Sequence, residues 1–266
     1  MSKISKAIYE IEHIGQMAEK DQWMNRIHPL VKLFLTVFYI FMVVSFRKYD
    51  ILGVLSMVVY PLIIFMLGDI SVKEALYRLR IVLPLVCIVG ILNPLFDREI
   101  VLYVGTVGLS GGVLSMLSLM LKGVLTIFAS YLLIATTSIE KICYALRLLH
   151  VPKLLVTQIL LIYRYITVLL AQTKKITQAY ALRAPEQKGI RHDAWGSLVG
   201  QLLLKSMDRA EEVYESMCLR GYQGEFGPDE SCAFQVKDAV FLFLWSAVFV
   251  LFRIFPVFQI VGAWFI

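Results

Sequence analysis

Long apolar blocks alternate with shorter polar stretches along the chain. The blocks run at roughly 30–46, 51–68, 81–96, 112–136 and 238–252. Each is near or above the ~17 residues that a helix needs to cross the hydrocarbon core of a bilayer, and the shortest, 81–96 and 238–252, can borrow residues from their flanks. Pro61, Pro84 and Pro94 fall inside blocks. A kink there is tolerated when neighbouring helices take up the freed carbonyls. The last block meets Arg253 and Pro256 and then turns apolar again to Ile266, either as one long broken span or as a span followed by an interfacial tail. The pattern predicts an all-α polytopic membrane protein of about five transmembrane helices, four within 30–136 and one within 237–266.

The region 137–236 reads differently. "TTSIEKICYALRLLHVP" predicts a helix capped by Ser138, with Ile142, Ala145, Leu146 and Leu149 on one face and a stop at Val151-Pro152. A long helix follows over about Lys153–Arg183, ended by Pro185. After the polar connection "EQKGIRHDAWGS" the spacing predicts a helix over about Ser197–Arg220. Met207, Ala210, Tyr214 and Met217 take one side of it, and Asp208, Arg209, Glu211, Glu212 and Glu215 the other. Gly221 suits the left-handed residue that follows a helix. Segment 154–170, "LLVTQILLIYRYITVLL", is apolar enough to span. A crossing there would place Arg164 mid-bilayer at about 2.5–3.5 kcal/mol and carry eight further cations outside. We therefore expect it on the cytoplasmic side, its apolar surface packed on the spans or lying in the interface.

Charge orients this arrangement. With the N-terminus inside, twenty lysines and arginines fall on the cytoplasmic side, while Arg47, Lys48, Arg98 and Arg253 fall outside. Residues 1–29 form a mixed-charge cytoplasmic segment with no cleavable signal pattern. Lys122 lies within a block, where it either snorkels or makes a contact inside the bundle. Composition agrees with the blocks: 59% of residues are hydrophobic and 17% charged, with a mean hydropathy of +0.73, against about 25% charge in soluble domains.

Candidate chemistry is sparse. There is no GxxxxGKS/T phosphate loop, no HExxH and no GxSxG, and the apolar blocks are almost free of Asp and Glu. Cys87, Cys143, Cys218 and Cys232 match no zinc or disulfide spacing and read as packing thiols. His13, His28, His150 and His192 are isolated and read as structural. No cofactor, metal site, catalytic residue or nucleic-acid partner is expected. A stand-alone channel or carrier would need polar residues across several spans, and only Ser56, Ser115, Ser118, Thr126 and Ser130 are available. A membrane-embedded enzyme would need a polar constellation at bilayer depth. The expectation is a coupling subunit that receives force from a nucleotide-hydrolysing partner.

Two stretches point the same way: "AYALRAPEQKG" at 179–189 and "SMCLRGYQGEF" at 216–226. Each ends a predicted helix with Leu-Arg and a small residue. Singly, an arginine in a final turn complements the helix dipole and is unremarked chemistry. Together they form two helix tips, each with a guanidinium able to reach a carboxylate or carbonyl on another protein.

The chain resembles the transmembrane (T) component of energy-coupling factor transporters, the CbiQ-like family of vitamin and transition-metal importers. The resemblance rests on "RIHPLVKLF" at 26–34, "NPLFDRE" at 93–99, "TTSIEKICYALRLLHVPKLLVTQILLIYRYITVL" at 136–169 and, most specific, "MDRAEEVYESMCLRGYQGEF" at 207–226. It covers residues from about 20 to 255. It implies two ABC-type ATPase partners, a separate substrate-binding membrane (S) subunit, membrane lipid around the spans, and ATP hydrolysis by the partner chains alone. It also implies that two coupling helices each dock an Ala-Arg-Gly-like motif into an ATPase. By position these motifs fall on Leu182-Arg183-Ala184 and Leu219-Arg220-Gly221. Both depart from Ala-Arg-Gly: Leu precedes each arginine, and Ala184 replaces the first glycine. His28 also stands where the family has Asp, and Leu30 where it has Arg.

Overall fold

The computed structural model describes residues 23–68, 70–96, 100–104, 107–183, 190–224 and 234–255, with Tyr9, Ile11, His13, Gly15 and Met17. The chain divides into two compact units. One is built from Ala18–Ser138 and Cys232–Ile266, the other from Met1–Met17 and Ile139–Ser231.

The first unit is a helical bundle. A single turn, Trp23–Arg26, precedes α1, Pro29–Ser45. Helix α1 starts there because Pro29 has no N–H to satisfy and its φ suits a first helical position. His28 supplies the cap: its Nδ1 accepts the Leu30 N–H at 3.2 Å. An imidazole thus does the work of the aspartate that the resemblance leads one to expect.

The second apolar block is two helices, α2 (Ile51–Ser56) and α3 (Val59–Leu67), broken at Met57–Val58. The cause is Pro61, which cannot donate to the carbonyl four residues back. That carbonyl, Met57 O, instead accepts the Tyr39 hydroxyl of α1 at 2.9 Å. This is the neighbour's help that a proline inside an apolar helix needs. The Tyr39 and Tyr60 rings lie 4.8 Å apart, and Tyr60 meets Trp245 at 4.7 Å and Phe249 at 5.0 Å. Trp245 and Phe249 belong to α9 (Val236–Ile254), the last helix among the described residues. Each such aromatic pair contributes about 0.5–1.5 kcal/mol beyond area burial, so the cluster fastens three helices at one level. Tyr39→Phe keeps the ring and strips Met57 O of its donor. We expect it to lower stability by about 1–3 kcal/mol, read as a lower unfolding midpoint in detergent. An unchanged midpoint would mean that another donor serves Met57 O.

Helix α4 (Val72–Phe96) carries Pro84 and Pro94 and packs against α5 (Gly111–Thr136). Close approach is set by glycine. A Cβ at Gly123 would lie 3.3 Å from both methyls of Val86, and one at Gly90 would lie 3.2 Å from Met116 Cγ. Small residues at such seams let helices pack where lipid gives no hydrophobic drive. Between α4 and α5 an antiparallel hairpin joins β1 (Ile100–Val104) to β2 (Val107–Ser110), with Val104 opposite Val107. It is an addition to the all-α pattern, since strands of four or five residues do not register in a search for span-length blocks.

Cations sit at helix ends. Lys32, buried near the start of α1, donates to Thr136 O at the end of α5 at 2.8 Å. Lys122 of α5 donates to Phe46 O (2.6 Å) and Val44 O (3.3 Å) at the end of α1. Arg253 of α9 takes Ser45 O at 2.9 Å and lies 4.5 Å over the Phe46 ring. The last carbonyls of a helix lack intrahelical donors and carry its negative pole, so cations belong there. Lys122 therefore makes a contact inside the bundle. At the other end, buried Asp238 in the first turn of α9 accepts the His28 N–H through Oδ1 and the Gln235 N–H through Oδ2, both at 2.9 Å.

The second unit holds α6 (Ile139–Leu148), α7 (Lys153–Arg183) and α8 (His192–Leu219), with α6 and α8 both packed on α7. Helix α6 ends through His150 at φ 61°, with the Val151 N–H returning to Leu146 O at 3.2 Å before Pro152. Helix α7 has 31 residues and is about 46 Å long, with the bounds that its sequence predicts. Helix α8 begins at His192, earlier than the predicted Ser197. Asp193 in its first turn favours the N-terminal pole, which offsets the ~1 kcal/mol propensity loss at Gly196. Burial, and then the Glu140 charge, push the buried Cys143 thiol up from its ordinary value, as expected of a packing cysteine. Cys232 lies outside the described residues.

Candidate functional site

Helix α7 runs to Arg183 as its last helical residue, so Leu182 and Arg183 occupy its final turn. Ala184 lies outside the described residues. Helix α8 ends at Leu219 with Arg220 as its C-cap. Gly221 follows at φ 82°, the left-handed conformation that a β-carbon resists. The Tyr222 N–H bonds Met217 O, and the Gly221 N–H bonds Cys218 O, each at 3.0 Å. These two bonds make a Schellman closure, so the second tip is a rigid stop rather than a frayed end.

What the two tips expose is the same. Leu182 is 84% and Leu219 89% accessible, more than any other large hydrophobic side chain among the described residues. Arg183 and Arg220 are exposed beside them. No hydrogen bond or ion pair engages either guanidinium among the described residues. The two tips are separate ends of separate helices, each with an apolar side chain followed by a cation.

A second feature runs along α7. Leu155, Ile159, Ile162, Ile166 and Leu169 are exposed at 4-3-4-3 spacing, one continuous stripe of the helix. Arg164 is also exposed and lies about 200° around the helix from Ile162. Helix α8 has no buried residue along its 28 residues, and Trp195, Val199 and Leu203 are exposed on it. Trp195 precedes the predicted start of this helix.

Among the described residues, α5 lines an open, mostly apolar depression of about 250 Å³ with Thr126, Ile127, Ser130, Tyr131 and Ile134. The space between α4 and α5 lined by Leu79, Val86, Gly123 and Ile127 is a cavity of about 10 Å³, which holds one water at most. No group of three His, Cys, Asp or Glu is placed to hold a metal among the described residues. Among the described residues, most of the hydroxyls that the apolar blocks offer are already engaged. Ser56, Thr126 and Ser130 donate to backbone carbonyls of their own helices, and Ser115 accepts from Asn93. Of these five hydroxyls, among the described residues, Ser118 Oγ is the one buried without a hydrogen-bond partner.

Among the described residues, two helices, α5 and α7, are long and apolar enough to cross a membrane, and shorter apolar helices cover 29–45, 51–67 and 82–94. These features define an all-α membrane protein with an added module of long, exposed helices. A family model described as cobalt transport protein, CbiQ, matches residues 20–230, and the chain belongs to that family. It is 28% identical over 236 residues to the energy-coupling factor transporter transmembrane protein EcfT of Lacticaseibacillus paracasei, covering 79% of this chain and 85% of that one. It is also 31% identical over 110 residues to an uncharacterized protein of Methanocaldococcus jannaschii, covering 40% of this chain and 37% of that one. Both tips lie within the matched range.

Proposed function

We propose that this chain is the transmembrane coupling subunit of an energy-coupling-factor importer for a vitamin or a transition-metal ion. Two cassette ATPases receive the tips at Leu182-Arg183-Ala184 and Leu219-Arg220-Gly221. A separate substrate-binding membrane subunit rests on the apolar stripe of α7. The chain itself catalyses nothing: nucleotide is hydrolysed by the ATPases, and closure of their pair moves the tips. A helix of 31 residues, about 46 Å long, is long enough to carry that displacement to the membrane surface. The observation that carries this reading is the repeated tip, an exposed leucine and an exposed arginine at the end of each of two long helices. Membership in a transport family and the likeness to a coupling-factor membrane protein support it.

In this reading the N-terminus and residues 137–236 are cytoplasmic, about five helices span, and α7 stays on the cytoplasmic side despite its apolar length. The cost of carrying Arg164 into the bilayer, about 2.5–3.5 kcal/mol, favours that placement. The test is a single cysteine at Gln223, just past the second tip, in a chain whose native cysteines are replaced. An impermeant maleimide is expected to label it only when the cytoplasmic face is opened. Labelling in intact cells would overturn the orientation. Purification of the tagged chain is expected to bring down two cassette ATPases and a small apolar membrane protein; their absence from a stable preparation would count against the assignment.

A further inference from the structure

We propose that Leu182 and Leu219 are apolar plugs, each seated in an apolar socket of its ATPase partner beside an acidic acceptor for the neighbouring arginine. On this view each leucine adds to the attachment and shields the pair that its neighbouring arginine makes. The inference rests on the coupling reading above and goes further in naming the chemistry of the partner's surface.

Neither leucine has an internal reason to be where it is. A Schellman closure is often accompanied by an apolar contact from the residue after the left-handed one back to the helix's third or fourth position from its end. In α8 that contact would run from Tyr222 to Met217 or Ser216, so Leu219 takes no part in the cap. Nor is Leu219 an extension of the helix's apolar side, since it lies about 160° around the axis from Leu203 at 100° per residue. Leu182 lies about 200° from Ile162, away from the α7 stripe, on the same side as Arg164 and Lys175. Both leucines thus leave the faces that serve other contacts, and both are almost wholly in water, at 84% and 89%.

The charge beside each plug states what the socket must contain. Consecutive helical residues point about 100° apart, so each tip addresses two adjoining subsites. One is apolar. The other is acidic, to pair with a guanidinium that has no partner of its own among the described residues. An arginine–carboxylate pair left in water is screened and weak. Seating a leucine alongside excludes water from the pair and makes it count, as the rim around an interface hot spot does. The departure from Ala-Arg-Gly therefore has a consequence: a socket shaped for alanine would not admit these tips, and these tips would bind an alanine-shaped socket poorly.

The test uses the cassette ATPase pair recovered with the wild-type chain and then purified, titrated against the detergent-solubilised chain. Leu182→Ala and Leu219→Ala are each expected to weaken binding about 10–100-fold, at 1.4 kcal/mol per tenfold. Leu→Met at either position is expected to restore binding to within about threefold, a conservative swap of similar volume. Leu204→Ala, an exposed leucine of α8 away from the tip, should change nothing. Binding by the wild-type chain should fall less than tenfold when salt is raised from 0.1 to 0.5 M, because a plug is not screened. If the alanine variants bind like wild type while Arg183→Glu and Arg220→Glu release the ATPases, the plug is overturned and the coupling reading stands. If neither leucine nor arginine variants alter binding, the coupling reading falls and takes the plug with it. Unchanged size-exclusion profiles are expected throughout, since both side chains are exposed.

Discussion

The double variant Arg183→Glu, Arg220→Glu is expected to lose its ATPases and all ATP-driven uptake. Each substitution removes a guanidinium and presents a carboxylate to the acceptor that held it, turning an attraction into a like-charge contact. Truncating one partner of a desolvated charge pair costs about 2–5 kcal/mol, and reversal adds repulsion. A single reversal leaves the other tip attached, so the second ATPase still profits from high effective concentration and binding is weakened rather than lost. With both reversed that reserve is gone. The fold is not at stake. Both residues are exposed at helix ends, and a glutamate against the C-terminal pole costs only about 0.3–1 kcal/mol. Recovery of both ATPases at wild-type yield with the double variant, the bundle intact, would falsify the coupling assignment.

In the proposed coupling, the need for two tips rather than one follows from the mechanics. A single attachment lets an ATPase pair close without deforming anything. Two attachments on two helices turn closure into a change of the distance between their ends. Helices α7 and α8 pack on one another, so a change at the tips becomes a change of crossing geometry along the exposed apolar stripe of α7. The stiff second tip suits this use. With its Schellman closure and left-handed Gly221 it has no slack to absorb the displacement.

Much of this could be read in the sequence, and the reasons for what could not are particular. The bounds of α7 were legible because Pro152 and Pro185 flank a long run without helix breakers. The start of α8 was not, because Trp195-Gly196 follows a polar, glycine-containing run that reads as a connection, and only the folded chain shows the first turn formed at His192. Pro61 announced a break in the second block, yet nothing local says that Tyr39, from another helix, answers it. The same holds for Lys32 and Lys122. Hydropathy marks each as an intruder, whereas the fold places each at the C-terminal carbonyls of the other's helix. The tips were legible as a repeated Leu-Arg. The arginines were expected to face another protein, whereas the extent to which Leu182 and Leu219 stand in water, 84% and 89%, shows only in the folded chain.

Asp238→Ala is expected to be the most damaging change inside the bundle. The buried carboxylate holds two backbone donors, His28 N–H and Gln235 N–H, both at 2.9 Å. One begins α1 and the other begins α9, so a single side chain sets two helices at one height. Alanine would leave both donors without an acceptor at about 1–3 kcal/mol each, a loss of roughly 2–6 kcal/mol against the margin of about 5–15 kcal/mol usual for folded proteins. Asparagine provides one carbonyl oxygen where two oxygens are needed, so Asp238→Asn should recover only part of the loss. Glutamate carries both oxygens on a longer stem and is expected to overreach. The measurement is the unfolding midpoint in detergent, together with the fraction of chain eluting as a monodisperse peak. His28→Ala provides the contrast. It deletes the Nδ1 cap on Leu30 but leaves the His28 N–H on Asp238, so its penalty should be that of a lost cap, about 1 kcal/mol. An Asp238→Ala chain no less stable than His28→Ala would mean that solvent reaches those two donors and that the carboxylate does not tie the helices together.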